Sequence, residues 1–362
     1  MSGSAVEQKA DAHGRDRQQL SAFELATVLS HFDIGTIESI KAFPRGSRKS
    51  PKLILRTSEG SFLLKRRAPG KDNAFKVAFC HQLQMYLDDN HFPLPRLIGT
   101  RKDNNSLLQW NGSTYELFEY IKGTSYDSSL EATADAGKAL ALFHKLLADF
   151  RSSHEPPVGS YHAARSVITA VESLPRALAT SAQGPADRGD VVKRLAESMQ
   201  SRYQEACGRV VEAGLDDWPH QIVHSDWHPG NMLFRGTRVV AVIDYDAARV
   251  QQRILDVANG ALQFSILGGS VNPEAWPDYV DVSRFKRFIR GYESDPACVL
   301  SRAEIEALPD LMTEALIAEC VIPIAATGSF ARMEGLTFLQ MIQRKVAWLH
   351  KKSDELVRTL EA

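Results

Sequence analysis

His224-Ser225-Asp226-Trp227-His228-Pro229-Gly230-Asn231, followed after one apolar stretch by Ile243-Asp244-Tyr245-Asp246, is the run whose reading decides the fold. Phosphoryl transfer needs a carboxylate beside the attacking hydroxyl and two further oxygen ligands for a divalent ion. All three must be held rigidly, because positioning and electrostatics supply nearly all the catalysis. Asp226, Asn231 and Asp244 are groups of that kind, with Asp226 as the candidate base and Asn231 and Asp244 as candidate metal ligands.

Their spacing carries more information than their types. Asn231 follows Asp226 by five positions (231 minus 226), the interval between base and metal ligand in the loop H-R-D-x-x-x-x-N. Asp244 follows thirteen positions later (244 minus 231). Between them Met232-Leu233-Phe234, a turn at Arg235-Gly236-Thr237 and the apolar run Val239 to Ile243 predict strand, hairpin and strand, which would return Asp244 to the side of Asn231. A rival reading takes His224, Asp226 and His228 as three ligands of a hydrolytic metal site. It leaves Asn231 and Asp244 unexplained.

The pattern H-x-D-x-H-P-x-N, an apolar strand, I-D-x-D and then Asp256-Val257-Ala258 resembles the aminoglycoside phosphotransferase and choline kinase superfamily. Upstream, Phe62-Leu63-Leu64-Lys65, Phe92-Pro93-Leu94-Pro95, the run Tyr115 to Gly123 and Leu140-Ala141-Leu142-Phe143-His144 extend the resemblance over roughly residues 20 to 265 and are similar to the type II homoserine kinase and spore-coat kinase-like branch. The resemblance implies an α+β, protein-kinase-like two-lobe fold: a small antiparallel-sheet N-lobe over 20–121 and a larger, mostly helical C-lobe over 122–362, after a mobile tail at 1–19. It implies ATP and Mg2+ as cofactors and a hydroxyl of a small molecule as acceptor: an amino acid, amino alcohol, sugar or aminoglycoside. It also implies that Asp256 steadies the catalytic loop, and it directs attention to Asp246, Glu314, Glu319 and Arg332 around the acceptor.

Lys65 is the candidate for holding the α- and β-phosphates. On a strand of period two it shares a face with Leu63, while Arg66 points the other way. The loop Pro44-Arg45-Gly46-Ser47-Arg48-Lys49 lies where a phosphate-covering hairpin belongs, with Gly46 and Ser47 as nucleotide-contacting candidates. Glu119, Tyr120 and Ile121 match the linker in which backbone groups read an adenine edge. One departure stands out. The superfamily commonly pairs the strand lysine with a glutamate on the following helix, yet no glutamate lies between Asp72 and Met85. His81, Gln82 or Gln84 could bond to Lys65 instead, or an acid from elsewhere could replace the missing one. The gap keeps open a second alternative, a kinase-like protein that binds a nucleotide or ligand without transferring phosphate.

Composition sets the outer limits. With 362 residues, 44% of them hydrophobic, the chain can bury a large core. The 43 basic and 44 acidic residues leave a formal charge of -1, so no overall field attracts a nucleic acid. Met1 to Gln19 is polar and no run is long and apolar enough for a bilayer, so the expectation is a cytoplasmic protein with no membrane partner. Cys80, Cys207, Cys298 and Cys320 show no C-x-x-C spacing and read as reduced thiols.

Of the secondary structure, Ser21 and Glu24 predict a capping box opening a helix to about Ser30. Strands are predicted at Thr36 to Ala42, Lys52 to Thr57, Ser61 to Arg66, 96 to 101 and 113 to 121. Helical periodicity dominates from Glu131. An irregular insertion around one short helix is expected from Ser152 to Asp190, then helices at Val191 to Ala213, Val282 to Tyr292, Ser301 to Ala318 and Ser329 to Leu349.

Overall fold

A computed structural model of the protein describes residues 18–44, 49–179, 188–268 and 272–361. The phosphate-loop candidates Gly46 and Ser47, and most of the segment read as a mobile tail, lie outside the described residues. The chain forms two compact units. One ends at Lys122 and takes in Ser152–Glu155; the other comprises Gly123–Arg151 and everything from Pro156 onward.

The N-terminal unit opens with helix α1 (Ala22–Leu29), and the Ser21–Glu24 capping box is formed in full. Strands β1 (Ile37–Ala42), β2 (Lys52–Thr57) and β3 (Gly60–Arg66) precede helix α2 (Ala74–Asp89), and β4 (Leu108–Trp110) and β5 (Ser113–Glu119) follow it. They make one antiparallel sheet in the order β1-β2-β3-β5-β4. One face of β3 and β5 sends Phe62, Leu64, Tyr115 and Leu117 into a core with Val28, Leu29, Phe32 and Ile34. On the same side Glu24 takes hydrogen bonds from Arg66 at 2.7 Å and from the Tyr115 hydroxyl at 2.6 Å. Arg66 therefore turns away from Lys65, as period two requires.

The strand expected at 96–101 is a correction. That segment, preceded by Pro93 and Pro95, makes a single bridge between Leu97 and Phe118, and the edge strand is instead Leu108–Trp110. Proline lacks the N–H that a ladder needs, so the stretch beside it pairs only briefly with β5.

The C-terminal unit runs α3 (Leu130–Leu147), α4 (Arg165–Ala179), α5 (Arg188–Glu212), β6 (His220–Val223), β7 (Met232–Arg235), β8 (Arg238–Val242), β9 (Arg249–Gln252), α6 (Arg253–Ser265), α7 (Val282–Tyr292), α8 (Arg302–Thr327), the short pair β10 (Ser329–Phe330) and β11 (Met333–Glu334), and α9 (Gly335–Glu361). Helices α4 and α8 are longer than expected. In α4 a stripe of Val167, Ala170, Val171, Leu174 and Leu178 is buried despite Pro175, and α8 continues past Pro323 to an αL cap at Gly328. Residues Ser329 to Glu334 form a small hairpin before α9.

Helices α3 and α7 approach each other through glycines. A Cβ on Gly291 would collide with the Ala134 carbonyl, and one on Gly137 with the Phe288 carbonyl. This close crossing seats His144 of α3 with Nδ1 2.9 Å from the Tyr292 hydroxyl of α7. Gly291→Ala should destabilise the protein by about 2 kcal/mol through overpacking, seen as a lower denaturation midpoint; an unchanged midpoint would show that the helices part freely.

Candidate active site

The catalytic-loop residues occupy a frame that begins with helix α6. Asp256, in its first turn and 1% exposed, accepts the backbone N–H of His224 at Oδ2 and that of Ser225 at Oδ1, both at 2.7 Å. His144 Nε2 lies 3.4 Å from Oδ2. Ser225 has φ +61°, a left-handed conformation unusual for serine that surrounding bonds must hold in place. The bidentate grip of Asp256 does so, and the loop leaves it with Asp226 facing outward.

His224 is buried among Trp227, Tyr245 and Phe143, with ring centroids 5.4, 5.2 and 5.9 Å away. Its Nε2 lies 3.3 Å from the Ile243 carbonyl, and burial lowers its pKa even though Asp256 and Asp226 oppose the shift. This is a neutral ring that ties the loop to the end of β8. The hydrolytic reading is thereby corrected. Among the described residues, the set whose ligand atoms all approach within 4.8 Å is His162, Cys207 and Glu314, not His224, Asp226 and His228. Even there a hydrogen-bonded cluster accounts for the contacts: Glu314, 0% exposed, lies 2.9 Å from His162 Nδ1 and is also bonded to Cys207 and to the Ala163 backbone.

Asn231 is brought to Asp226, as the five-residue spacing requires. Its Nδ2 donates to Asp226 Oδ2 at 2.7 Å and to the Asp226 carbonyl at 3.0 Å, which commits the amide nitrogen and leaves Oδ1 as the atom that could face a metal. His228 Nε2 stands 3.5 Å from Asp226 Oδ1. Burial pushes the Asp226 carboxyl up, but His228, His224 and Asn231 together hold it below its usual value. The hairpin closes as its turn predicts. Met232 pairs with Val242, and the Ile243 amide donates to the Asn231 carbonyl at 2.9 Å. Asp244 thus begins where Asn231 ends, exposed, at φ +67°, with no side-chain cap bond. Two hard oxygen donors on adjacent backbone suit a magnesium ion, which prefers one or two protein oxygens plus water and phosphate.

The second group of residues lies in the N-terminal unit. Lys65 Nζ is 3.2 Å from Glu116 Oε2, an ion pair without a well-directed hydrogen bond. Glu116 also takes Arg67 at 2.5 Å and His81 Nε2 at 2.7 Å on Oε1. Burial would raise this carboxyl, yet Lys65, the His81 bond and Arg67 overcome it and hold it well below the carboxylate range. Sequence reasoning missed Glu116. The partner absent from α2 is supplied by β5, in register with Lys65 on β3, and His81 of α2 holds the acid. The signal was a lone glutamate inside an apolar strand run, Tyr115-Glu116-Leu117-Phe118. With it, the observation that favoured a catalytically silent protein loses its force.

Of the linker residues, Glu119 donates its amide to the Arg96 carbonyl at 2.8 Å and Tyr120 donates to that of Ser61 at 2.9 Å. The backbone groups that remain here for a ligand are carbonyl lone pairs and, among the described residues, the Ile121 amide. Of the acceptor candidates, Glu314 belongs to its own buried cluster. Glu319 of α8 interacts with Asp226 and His228.

A sequence profile of the phosphotransferase enzyme family matches residues 39–299, well over half of the chain. The protein belongs to this family. The homoserine kinase of Brucella ovis is 26% identical over 314 residues, 82% of each chain. That of Xanthobacter autotrophicus is 26% identical over 349 residues, 92% of this chain and 88% of the relative. Among solved structures, an aminoglycoside phosphotransferase from Alicyclobacillus acidocaldarius superposes with a TM-score of 0.65 at 16% identity, over 96% of this chain and 97% of that one. A microcompartment-associated aminopropanol kinase gives 0.63 at 13% identity, over 93% and 98%. The fold is therefore α+β and protein-kinase-like, with an antiparallel N-terminal sheet and a helical C-terminal part. Family membership makes the chain a small-molecule kinase that phosphorylates a hydroxyl group.

Because the Glu116 pKa falls on folding, the stability it contributes is fully present above the ordinary carboxylate range and is lost as pH drops through the folded value. Glu116→Gln should lower stability by about 3 kcal/mol at neutral pH, where it breaks a buried ion-paired cluster. In denaturant titrations the difference from wild type should shrink below about pH 4. A penalty that does not change with pH would mean that the charge is not what Glu116 contributes.

Proposed function

We propose that the protein transfers the γ-phosphoryl group of ATP to the hydroxyl of a small metabolite, with Asp226 as base, Asn231 and Asp244 as magnesium ligands and Lys65 on the phosphate chain. The observation that carries this reading is the bonded set Asp226–Asn231 with Asp244 returned beside it by the β7–β8 hairpin. Asp226, oriented by Asn231, accepts the hydrogen bond of the acceptor hydroxyl. It takes the proton as the hydroxyl oxygen bonds to phosphorus and the bond to the β-phosphate oxygen breaks. Asp226 must therefore be ionised, and its lowered pKa suits it to that state at neutral pH.

A magnesium ion held by Asn231 Oδ1 and Asp244 would offset charge on the phosphate oxygens. Lys65 does the same from the N-terminal unit. Two basic side chains, Lys65 and Arg67, share one buried carboxylate there, so positive charge remains for the nucleotide. Glu119, Tyr120 and Ile121 are read as the adenine-facing stretch, and Gly46 and Ser47 as the phosphate-covering loop. The homoserine kinases and the aminopropanol kinase among the similar proteins favour an amino acid or amino alcohol as acceptor. No described helix is long and apolar enough to cross a membrane, and use of ATP fits a cytoplasmic location.

Asp226→Asn should lower kcat by about 10²- to 10⁴-fold while ATP still raises the melting temperature; near-normal turnover would remove Asp226 from the role of base. Asp244→Ala should instead abolish the magnesium dependence of nucleotide binding in calorimetry. Unchanged magnesium-dependent binding would take the ligand role from Asp244.

A further inference from the structure

Away from the catalytic loop, three side chains of different chemistry converge inside the C-terminal unit. His162 stands in the turn before α4, Cys207 on α5 and Glu314 on α8. Residues so far apart in the chain meet because the helices pack, and their ligand atoms all lie within 4.8 Å of one another. His162 Nδ1 faces both carboxylate oxygens of Glu314, at 2.9 and 3.1 Å, and the Cys207 thiol bonds to the same carboxylate. Hydrogen bonds satisfy these groups in the chain by itself. They also trace the edges of a ligand set.

The surroundings hold that set in place. Tyr203, one helical turn before Cys207 and on the same face of α5, donates its hydroxyl to the Tyr161 carbonyl and accepts the Ala164 N–H at 2.8 Å. The loop is thus fixed on either side of His162 against the helix that carries Cys207. Ser160 Oγ takes the His162 N–H at 3.1 Å, and the Tyr161 hydroxyl donates to the Leu255 carbonyl of α6 at 3.0 Å. Affinity for a metal depends on such outer partners, because they orient the ligands before the ion arrives.

Charge narrows the occupant. Glu314 is 0% exposed, and among the described residues its ion-pair partner is His162. A divalent ion with one thiolate, one carboxylate and one neutral imidazole carries no net charge, so the assembly can sit where a bare carboxylate or a bare ion is costly. Sulfur and imidazole select zinc and its neighbours over magnesium, which asks for oxygen donors. In a tetrahedral zinc site with bonds of about 2.0 to 2.3 Å the ligand atoms stand roughly 3.3 to 3.6 Å apart, so the three groups need to adjust by about 1 Å. His162 and Cys207 are half-buried, which gives the site an edge from which water takes the fourth position.

We infer that His162 Nδ1, Cys207 Sγ and a Glu314 oxygen form a binding site for a thiophilic divalent cation of the zinc type, separate from the magnesium position at Asn231 and Asp244. Binding releases the thiol proton to solvent, while the imidazole carries its own proton on Nε2. The ion ties the loop around His162 to α5 and α8. Through the Tyr161 bond to Leu255 it also braces the start of α6, next to Asp256. Its role is structural: it stabilises the C-terminal unit without entering the transfer step.

The test uses the full chain, treated with EDTA and then titrated with Co2+ or Zn2+ in excess Mg2+. Bound to a thiolate, Co2+ should give a sulfur-to-cobalt charge-transfer absorption in the near ultraviolet. Stoichiometric Zn2+ should displace it and raise the melting temperature. Cys207→Ser should abolish the absorption, and His162→Ala should weaken Zn2+ binding in calorimetry by more than about a hundredfold, beyond the cost of losing an outer partner. A cooperative melting transition shows that each variant folds, and the wild-type titration decides even where one does not. The inference is overturned if wild type gives no thiolate absorption, if the absorption survives Cys207→Ser, or if His162→Ala binds Zn2+ as tightly as wild type; the three residues are then a hydrogen-bonded cluster only.

Discussion

The grip of one buried carboxylate on two consecutive backbone N–H groups is the constraint on which the C-terminal unit depends. Asp256 satisfies the amides of His224 and Ser225, and in doing so it holds Ser225 in a left-handed conformation that the residue would not adopt unaided. The candidate catalytic groups of this unit are arranged from that point. Asp226 leaves the grip facing outward, Asn231 reaches back to it, and the β7–β8 hairpin delivers Asp244 to the end of the same ladder. The aromatic surroundings of His224 seal the loop from beneath. The grip itself depends on close packing elsewhere, because His144 reaches Asp256 and Tyr292 from a helix seated by glycines.

A different solution serves the N-terminal unit. Lys65, the candidate phosphate-binding lysine, is paired with a strand glutamate, Glu116, and helix α2 contributes His81 to that glutamate. The ion pair is then set by the register of two neighbouring strands rather than by the placement of a helix. Register is strongly specified here, since a slip of one residue would turn Glu116 into the apolar core and Leu117 out of it.

Much of this was legible in the chain. Capping residues, hairpin turns and the spacing of Asp226, Asn231 and Asp244 are local features, and local features survive tertiary packing. The Ser21–Glu24 box, the β2–β3 hairpin and the β7–β8 hairpin formed where their residues place them. Errors arose where local signals compete with burial. Pro175 argued for an irregular segment around α4, but a buried apolar stripe carries the helix through it, and α8 runs past the expected end at Ala318. Apolar residues at 96–101 suggested a strand, but the adjacent prolines leave it a single bridge. Glu319 could be singled out only as a possibility, because nothing near it in sequence distinguishes it from other helical glutamates.

The sequence by itself set out the candidate groups: a carboxylate, an amide and a second carboxylate at intervals that a loop and a hairpin reconcile, together with a lysine on an apolar strand. These are short-range relations, set by backbone geometry over a few residues. Which acid holds that lysine, which residue holds the catalytic loop, and which amides hold Glu319 were decided by the tertiary structure. Glu116 meets Lys65 through strand register, Asp256 meets Ser225 across 31 positions, and Glu319 meets Gln263 across 56. Contacts of that kind depend on how whole elements pack, and packing is a property of the folded chain that no local spacing encodes.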